Sequence, residues 1–485
     1  MIRLIPTLFL MGAVAVLALG CQTSRDVSFA YRDATYGGDN YQASDKTSVL
    51  FLVDGLSSEI LKSSLLTGNI PQIAGAFTLS KKARFALGRA VFPSLTFPNI
   101  TSILLGQSVA EHTITGNRVI VDGSVLDFEN VTSWNELART IQRRTIFAKL
   151  ALRSQSSVSY AYAFSGGATA FQDKSVDAGV GYLENDFASI DVATIASLRR
   201  LLTETQVSKW PRFIFVHLIG VDALAHRYGP ADPRVQAYLH DLDANLSEIF
   251  VLLDHPNGLS ASSREVNYVM TADHGFKATP DHSPLEDVVA RLNHKVRLIA
   301  DNRVAPLFVD EPITNEARTV LARELLNVPH VGWAAVKSET AIDLLKKSGD
   351  HARITFAEKG CPGGQAAARF EWLGDQRAND TTTGAPAKDF ACLSEFDRAT
   401  SASDDSYIVP ALVDYFASPQ SPDMVFVADD HADFATGYAG NHGGLSRDEM
   451  LVPVLTKDVD LPRGIHPTYE LLKVMGVEPE EPKDK

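Results

Sequence analysis

The sequence has no excess of positive charge, no low-complexity bulk and none of the common nucleotide-binding glycine patterns. Its 485 residues carry 45 lysines and arginines against 59 aspartates and glutamates, a formal net charge of −14. A surface of that sign repels a nucleic acid backbone and no Lys/Arg stripe offsets it, so no nucleic acid polymer is expected as a partner. The lack of a P-loop and of a complete dinucleotide fingerprint argues against an ATPase or a dehydrogenase. Phosphate chemistry here would need local positive charge, for which metal ions are the obvious source.

The N-terminus has the pattern of an export signal. Arg3 precedes an almost wholly apolar run that ends at Gly20, and small residues lead into Cys21 in a way that resembles a bacterial lipobox. We therefore predict a signal peptide at 1–20 and a polar, lipid-anchored tether at 21–46. A lipid on Cys21 would hold the protein at a membrane in the bacterial cell envelope, facing the periplasm. An uncleaved membrane anchor is the alternative.

Cysteine is scarce, and its arrangement agrees with export. The chain has three cysteines, and acylation of Cys21 leaves Cys361 and Cys392 as an even pair within one region. In an exported protein such a pair favours a disulfide. Two unrelated buried thiols are the alternative.

Apolar runs that end in aspartate define the predicted fold. Each is continuously apolar, as expected for a strand that is covered on both faces of a parallel sheet. Helix-period patterns separate them, the clearest at 232–253. This alternation predicts an α/β fold, a three-layer α/β/α sandwich with a mostly parallel central sheet. The runs are 48–53, 212–219, 266–271 and 424–428, and they lead to Asp54, Asp222, Asp273 and Asp429.

The pattern changes in the second half of the chain. Between 295 and 423 the strand–aspartate endings stop, and a loose polar stretch occurs at 374–389. We therefore predict a catalytic domain made of 47–294 and 424–475, with an inserted cap module at 295–423.

Six candidate metal ligands lie at strand ends or in glycine-rich turns, where ligands of open α/β sheets gather. Carboxylates and imidazoles suit two divalent cations, with zinc the expected metal, and such a pair can neutralise a phosphoryl group. Thr96 is a good helix-capping residue, and a helix that begins there would direct its positive end at a bound phosphate. The six ligands are Asp54, Asp222, His226, Asp273, His274 and His442.

At these positions the chain resembles the type I phosphodiesterase/nucleotide pyrophosphatase family of the alkaline phosphatase superfamily. The resemblance implies that Thr96 is the nucleophile and that Asn99 donates to a non-bridging phosphate oxygen. It also implies one metal held by Asp54, Thr96, Asp273 and His274, and a second held by Asp222, His226 and His442. The segments that carry it, in the family's order, are 53–55, 92–99, 222–230, 272–275 and 441–443.

The predicted function is a metal-dependent hydrolase of phosphodiesters or pyrophosphates that acts on a small phospho-ester through a covalent threonyl-phosphate. The segment 216–222 is more similar to ethanolamine-phosphate transferases of the same superfamily, so a transferase is one alternative and a phosphomonoesterase another. A sulfatase is disfavoured because the nucleophile position holds Thr96 and not Cys or Ser. A non-catalytic envelope lipoprotein is the alternative from another class.

Several polar residues near these motifs have two interpretations. His217 lies inside an apolar strand and is either a core histidine or a partner of a metal ligand. Asn99 could equally satisfy backbone amides at the helix end. His282 is more simply a polar loop residue than a substrate contact. The cluster near His442 either orients ligands or forms a solvated loop, and its members are Asp429, Asp430, His431 and Asp433.

Overall fold

The computed structural model describes residues 44–477 except for short internal segments. Those segments are 79–82, 122, 131–132, 142–143, 162, 172–185, 257–263, 293–294, 358–360, 362–365, 374–389, 399–406, 436 and 462–463. The predicted signal peptide, Cys21 and nearly all of the predicted tether therefore lie outside the described residues, as does the polar stretch 374–389. Among the helices in the described part, none is both long and apolar enough to cross a membrane.

Two eight-stranded sheets organise the described part of the chain. Their strands, in chain order, are β1 (Lys46–Val53), β2 (Arg84–Arg89), β3 (Ser157–Tyr160), β4 (Ala170–Phe171), β5 (Phe213–Leu218), β6 (Glu265–Thr271), β7 (Val296–Leu298), β8 (Val304–Val309), β9 (Val331–Lys337), β10 (Ala341–Lys346), β11 (His351–Ala357), β12 (Ala367–Trp372), β13 (Ala391–Cys392), β14 (Met424–Ala428), β15 (Leu451–Lys457) and β16 (Ile465–Pro467). Short ladders join Arg118–Val121 to Ser124–Asp127, Lys277–Ala278 to Gly440–Asn441, and Asp281–His282 to Ala432–Asp433.

The helices cover both sheets. In chain order they are α1 (Ser58–Leu66), α2 (Pro71–Thr78), α3 (Thr96–Leu105), α4 (Val109–His112), α5 (Trp134–Ile141), α6 (Ile146–Ala151), α7 (Phe187–Glu204), α8 (Gly220–Tyr228), α9 (Pro233–Asp254), α10 (Leu285–Val289), α11 (Asn315–Leu326), α12 (Leu393–Arg398), α13 (Ile408–Ala417), α14 (Arg447–Met450) and α15 (Leu471–Val474).

The central sheet is mostly parallel, as the sequence predicts. Its strand order is β16-β2-β15-β6-β1-β5-β3-β4. The strands from β6 to β4 pair in parallel, and β16 is parallel to β2. Only β15 runs antiparallel to its two neighbours, β2 and β6.

Both faces of this sheet are covered, which confirms the three-layer α/β/α fold. Side chains alternate along a strand, so neighbouring residues of β1 enter different cores. Phe51 packs with residues of α1, α2, α7 and α9. Leu50 and Leu52 pack on the other face with α3, α5, α6 and α15. A strand buried on both faces must be apolar throughout, and this explains the uninterrupted run at 48–53.

One strand assignment from the sequence is wrong. The run at 424–428 forms strand β14, but it belongs to the second sheet, whose order is β7-β8-β14-β9-β10-β11-β12-β13. There it lies antiparallel between β8 and β9. An apolar run shows that a strand is buried on both faces, but it does not identify the neighbouring strands. Asp429 therefore does not lie at the end of a central strand.

The second sheet has its own two cores. Residues of α13 pack on one face, with Val425 and Val427. Residues of α11 pack on the other, with Met424 and Phe426. Cys361 forms a disulfide with Cys392 of the edge strand β13, as predicted.

Candidate active site

The predicted ligands converge because of the strand order. β5, β1 and β6 are parallel neighbours, so their carboxyl ends meet at one edge of the central sheet. Asp54 directly follows β1, and Asp273 and His274 follow β6. Asp222 lies in the first turn of α8, which begins two residues after β5.

A first group of candidate ligands comes from the ends of β1 and β6. The Nε2 atom of His274 lies 3.4 Å from Asp54 Oδ1 and 3.3 Å from Asp273 Oδ2. The hydroxyl of Thr96 is 3.1 Å from the same His274 nitrogen. Asp54, Asp273 and His274 are buried, and together they could hold a metal ion.

A second group of candidate ligands is formed by α8 and the loop after Gly440–Asn441. Asp222 and His226 are one helical turn apart, and their Oδ1 and Nε2 atoms are separated by 3.4 Å. The Nε2 atom of His442 lies 3.2 Å from that of His226 and 3.6 Å from Asp222 Oδ1. The rings of His442 and His274 stack with centroids 3.6 Å apart, so the two groups adjoin.

Backbone carbonyls orient two of these imidazoles. The Nδ1 atom of His442 lies 2.8 Å from the carbonyl of Ser94, and that of His226 lies 3.0 Å from the carbonyl of Gly440. A carbonyl only accepts hydrogen bonds, so each Nδ1 carries the proton. Each Nε2 atom is thereby left with a lone pair. This lone pair faces the other members of the second group, as metal ligation requires.

The buried strand histidine supports a ligand. Nε2 of His217 lies 2.8 Å from Asp54 Oδ2, which favours the second of its two interpretations. The other carboxylate oxygen of Asp54 remains directed at His274. Asp273 is held by the N–H of Gly55, which donates to Oδ1 over 3.2 Å.

The three carboxylates among the six candidate ligands each have an oxygen at the sheet edge without a hydrogen-bond donor in the described part of the chain. Asp54 Oδ1, Asp222 Oδ1 and Asp273 Oδ2 are buried and accept no hydrogen bond from any described residue. Burial raises the pKa of Asp54 to about 7 and holds the pKa values of Asp222 and Asp273 well above their usual range. Buried carboxylates are normally paired with a cation. The unpaired oxygens and the set of three carboxylates and three imidazoles therefore fit two divalent metal ions.

The imidazoles are kept neutral by the same burial. It lowers the pKa of His226 to about 4 and that of His274 to about 3, and it also lowers the pKa of His442 well below its usual value. A neutral imidazole is the form that binds a metal. The lone pairs of these imidazoles are thus available to a cation at neutral pH.

Thr96 lies where the two groups meet. It is the first residue of α3, is half-buried, and approaches His274 through its hydroxyl. The first N–H groups of a helix carry a partial positive charge that favours an anion. The arrangement suits a hydroxyl nucleophile that attacks a bound phosphoryl group.

Asn99 does not occupy the position predicted for it. Its side chain is completely buried, and its Oδ1 accepts the N–H of Val91 over 2.7 Å. Its Nδ2 donates to the carbonyls of Leu95 and Pro93 over 2.8 Å and 3.1 Å. These backbone groups engage the amide, so the predicted contact with phosphate does not fit. Asn99 instead shapes the loop that precedes Thr96.

Asn117 lies beside Thr96 and was missed by the sequence analysis. Its Oδ1 accepts the N–H of Phe97 over 3.1 Å, and its Nδ2 donates to Glu129 Oε1 over 3.1 Å. The carboxamide therefore borders the start of α3. No local pattern marks Asn117, because its approach to α3 depends on the loop path between α4 and the ladder at Arg118–Val121.

The chain matches the family model described as type I phosphodiesterase/nucleotide pyrophosphatase over residues 48–448. The chain belongs to that family. This match confirms the predicted superfamily and supports the predicted enzyme class, a phosphoric ester hydrolase.

Two solved structures share the fold of this phosphodiesterase-family enzyme. Phosphonoacetate hydrolase from Sinorhizobium meliloti 1021, in complex with phosphonoformate, is similar with a TM-score of 0.57 and 16% identity. Murine ectonucleotide pyrophosphatase/phosphodiesterase 5, inactive and in complex with AMP, is similar with a TM-score of 0.56 and 13% identity. Each comparison covers 90% of this chain and 97% of the other.

A curated relative matches a smaller part of the chain. GPI ethanolamine phosphate transferase 2 from Aspergillus oryzae (strain ATCC 42149 / RIB 40) is 24% identical over 106 residues. The match covers 22% of this chain and only 12% of the transferase.

The polar cluster near His442 supports the second ligand group. Asn441 Oδ1 accepts the N–H of His442 over 3.0 Å, and Asn441 Nδ2 donates to Asp433 over 2.9 Å. The other oxygen of Asp433 lies 2.5 Å from His282 Nδ1. Asp433 therefore helps to position the ligand loop of the phosphodiesterase, whereas Asp430 is exposed on the surface.

A buried aspartate from another helix holds the start of α8. Ile219 precedes α8 and provides no side-chain cap. Instead, Asp191 of α7 accepts the N–H groups of Ile219 and Gly220 over 3.0 Å and 2.9 Å. Tyr238 also donates its hydroxyl to Asp191. Because α8 carries two ligands of the second group, Asp191 determines where they lie.

We expect Asp191→Ala to lower kcat/KM for phosphodiester hydrolysis by about tenfold to a hundredfold, because supports behind metal ligands typically contribute that much. The assay should run well below the melting temperature, since the exposed N–H groups also cost about 1–3 kcal/mol of stability. Asp186→Ala is the matched control: it removes the acceptor that caps the exposed start of α7. Equal activities of the two variants would contradict the role of Asp191.

Proposed function

We propose that this enzyme hydrolyses phosphodiesters or pyrophosphates with the help of two divalent metal ions and through a threonyl-phosphate on Thr96. The observation that carries the proposal is the position of the Thr96 hydroxyl, 3.1 Å from His274 Nε2 at the start of α3. The murine phosphodiesterase 5 is inactive in a form with threonine replaced by alanine, which supports a threonine nucleophile.

The ligand sets suggest how two cations would be held. Asp54, Asp273, His274 and Thr96 would bind one ion, and the second group formed by Asp222, His226 and His442 would bind the other. Bound divalent cations supply charge neutralisation, a lower pKa for the threonine hydroxyl and stabilisation of the leaving oxygen. Zinc is the metal that this combination of oxygen and nitrogen ligands favours.

The chemistry follows from the surroundings of Thr96. Its hydroxyl passes a proton to water, Oγ1 forms a bond to phosphorus, and the bond from phosphorus to the leaving oxygen breaks as that oxygen takes up a proton from water. The leaving group departs as an alcohol or a phosphate, and the partial charge at the start of α3 favours the phosphoryl anion. Water then cleaves the bond between phosphorus and Thr96, which restores the hydroxyl and gives net retention at phosphorus. The amide of Asn117 lies where it can contact a phosphoryl oxygen.

A transferase is the second candidate, because the chain is also similar to the fungal ethanolamine phosphate transferase over 106 residues. Such an enzyme would pass the phosphoryl group from Thr96 to an alcohol. Release of product in water without an acceptor alcohol separates a hydrolase from a transferase. A panel of nucleotide diesters, glycerophospho-esters and monoesters distinguishes a diesterase from a monoesterase. The bound AMP of the murine relative supports a small phospho-ester substrate. Membership of this enzyme family disfavours the alternative of a protein without catalytic activity.

We expect Thr96→Ala to keep its fold and its metal but to lose at least about a thousandfold in turnover, because the covalent intermediate needs this hydroxyl. Thr96→Ser is the matched control, since it retains the hydroxyl and should keep much more activity. Acid quenching during turnover should trap the substrate's phosphoryl group, with its remaining ester group, on the wild type and not on the alanine variant. Turnover of Thr96→Ala within tenfold of the wild type would place the nucleophile elsewhere.

We expect elemental analysis to find two metal ions per chain, and chelation to abolish activity until zinc is restored. Asp54→Asn and Asp222→Asn should each lower the metal content, because each removes an anionic ligand of a different group. Asp430→Asn, at an exposed carboxylate that pairs with Lys277, should retain both ions. Full activity in chelated, metal-free protein would contradict the proposal.

We also propose that the enzyme is exported and anchored by a lipid on Cys21. The apolar run and the small residues before Cys21 support this location. The substrate would then be a phospho-ester of the cell envelope or one taken from outside the cytoplasm.

Cys21→Ser should block lipoprotein processing and leave an unacylated precursor that still carries residues 1–20. Mass spectrometry of the N-terminus and fractionation of membranes would measure both effects. Cys361→Ser is the control, because it changes a cysteine that takes no part in lipidation. Normal maturation of Cys21→Ser would show that the apolar start is a plain signal peptide or an anchor.

A further inference from the structure

A turn of the second sheet enters the active site. It connects β7 to β8 and is held from two sides. Asp301 Oδ2 accepts the N–H groups of Asn117 and Arg118 over 2.9 Å and 3.2 Å. Arg303 donates its backbone N–H to the carbonyl of His442 over 2.9 Å. The turn therefore bridges the loop beside Thr96 and the second ligand group.

Asn302 lies at the tip of this turn. Its φ is +57°, in the left-handed region that side chains other than Asn, Asp and Gly rarely adopt. Its carbonyl accepts the N–H of Phe434 over 2.8 Å, which helps to hold the backbone in this conformation. Only 8% of the residue is exposed. The backbone of Asn302 is thus held in one conformation, and its carboxamide is largely shielded from solvent.

The amide of Asn302 faces the second ligand group. Its Nδ2 lies 3.5 Å from His442 Nε2, and this is its only side-chain hydrogen-bond contact with the described residues. Around that His442 atom lie Asp222 Oδ1 at 3.6 Å and His226 Nε2 at 3.2 Å, and both are hydrogen-bond acceptors. The Asn302 N–H group is therefore a hydrogen-bond donor in a space lined by acceptors.

We propose that Asn302 is a substrate-contacting residue whose Nδ2 donates a hydrogen bond to a phosphoryl oxygen bound beside Asp222, His226 and His442. The inference rests on the proposed phospho-ester function and extends it to the second sheet. A neutral donor suits this position, because it favours the bound anion without competing with the ligand set for a cation. The second sheet then contributes directly to substrate binding as well as covering the site.

Asn302→Gly tests the contact without straining the backbone, because glycine adopts positive φ freely. With bis(p-nitrophenyl) phosphate as substrate and inorganic phosphate as inhibitor, we expect kcat/KM to fall and the inhibition constant to rise. Each change should be about tenfold to a hundredfold, the range for a hydrogen bond to a charged group. Metal content and melting temperature should match the wild type. Ser154→Gly, at an exposed residue with φ of +56°, is the control for glycine in a left-handed position and should leave all values unchanged.

Asn302→Asp distinguishes a donor from a metal ligand. Aspartate also tolerates this backbone conformation, and it keeps an oxygen while it removes the N–H donor. If Asn302 donates to phosphate, the aspartate variant should bind inorganic phosphate more weakly than the glycine variant, because it adds a negative charge. Near-wild-type activity of Asn302→Asp would assign the role to the oxygen and overturn the proposal.

The remaining outcomes are equally decisive. Unchanged kcat/KM and unchanged phosphate inhibition in Asn302→Gly would show that the amide does not contact the substrate. A loss of activity that follows a loss of bound metal would make Asn302 a support for His442, again against the proposal. Failure of the wild type itself to hydrolyse any phospho-ester would instead count against the proposed function.

Discussion

The burial of three carboxylates at one edge of the central sheet is the constraint on which the rest of the site depends. Asp54, Asp222 and Asp273 each present an oxygen without a hydrogen-bond donor among the described residues. Isolated buried charges cost several kcal/mol each, so such a group persists only where the surrounding fold is stable without it. The two apolar cores on either face of the sheet supply that stability. The second oxygens of Asp54 and Asp273 are held by His217 and by the N–H of Gly55, and this keeps their unpaired oxygens directed at His274.

The sequence predicted that the candidate ligands lie close together, because their placement depends on local patterns. A strand that is apolar throughout and ends in aspartate puts that carboxylate at the carboxyl edge of the sheet when the strand belongs to a parallel sheet. Asp54 and Asp273 follow from this rule alone. The spacing of Asp222 and His226 likewise puts both on one side of a helical turn. The predicted contact between Asn99 and phosphate does not fit, because a motif specifies the residue type and not the direction of the side chain. The backbone carbonyls before α3 bind the amide of Asn99 instead.

Contacts between distant parts of the chain could not be predicted in this way. Strand β14 has the same apolar pattern as β1, yet it pairs with β8 and β9 in another sheet. Asn117 and Asn302 reach the site through turns whose paths depend on packing between the two sheets. Asp191 lies on α7 and holds the start of α8, although strand β5 separates these two helices in the sequence. Nothing in the sequence around Asp191 indicates this contact.

The two ligand groups therefore differ in how they are supported. The first group lies directly at the ends of β1 and β6, whose backbones are fixed by parallel pairing. The second group lies on α8 and on a loop, and it depends on contacts from outside the central sheet. Arg303 of the second sheet forms a buried ion pair with Glu449, which accepts the N–H of Gly444 just after His442. Removing one partner of such a pair is strongly destabilising, so the second sheet and the His442 loop must keep a fixed relative position. Changes in the second sheet should consequently affect the second group before the first.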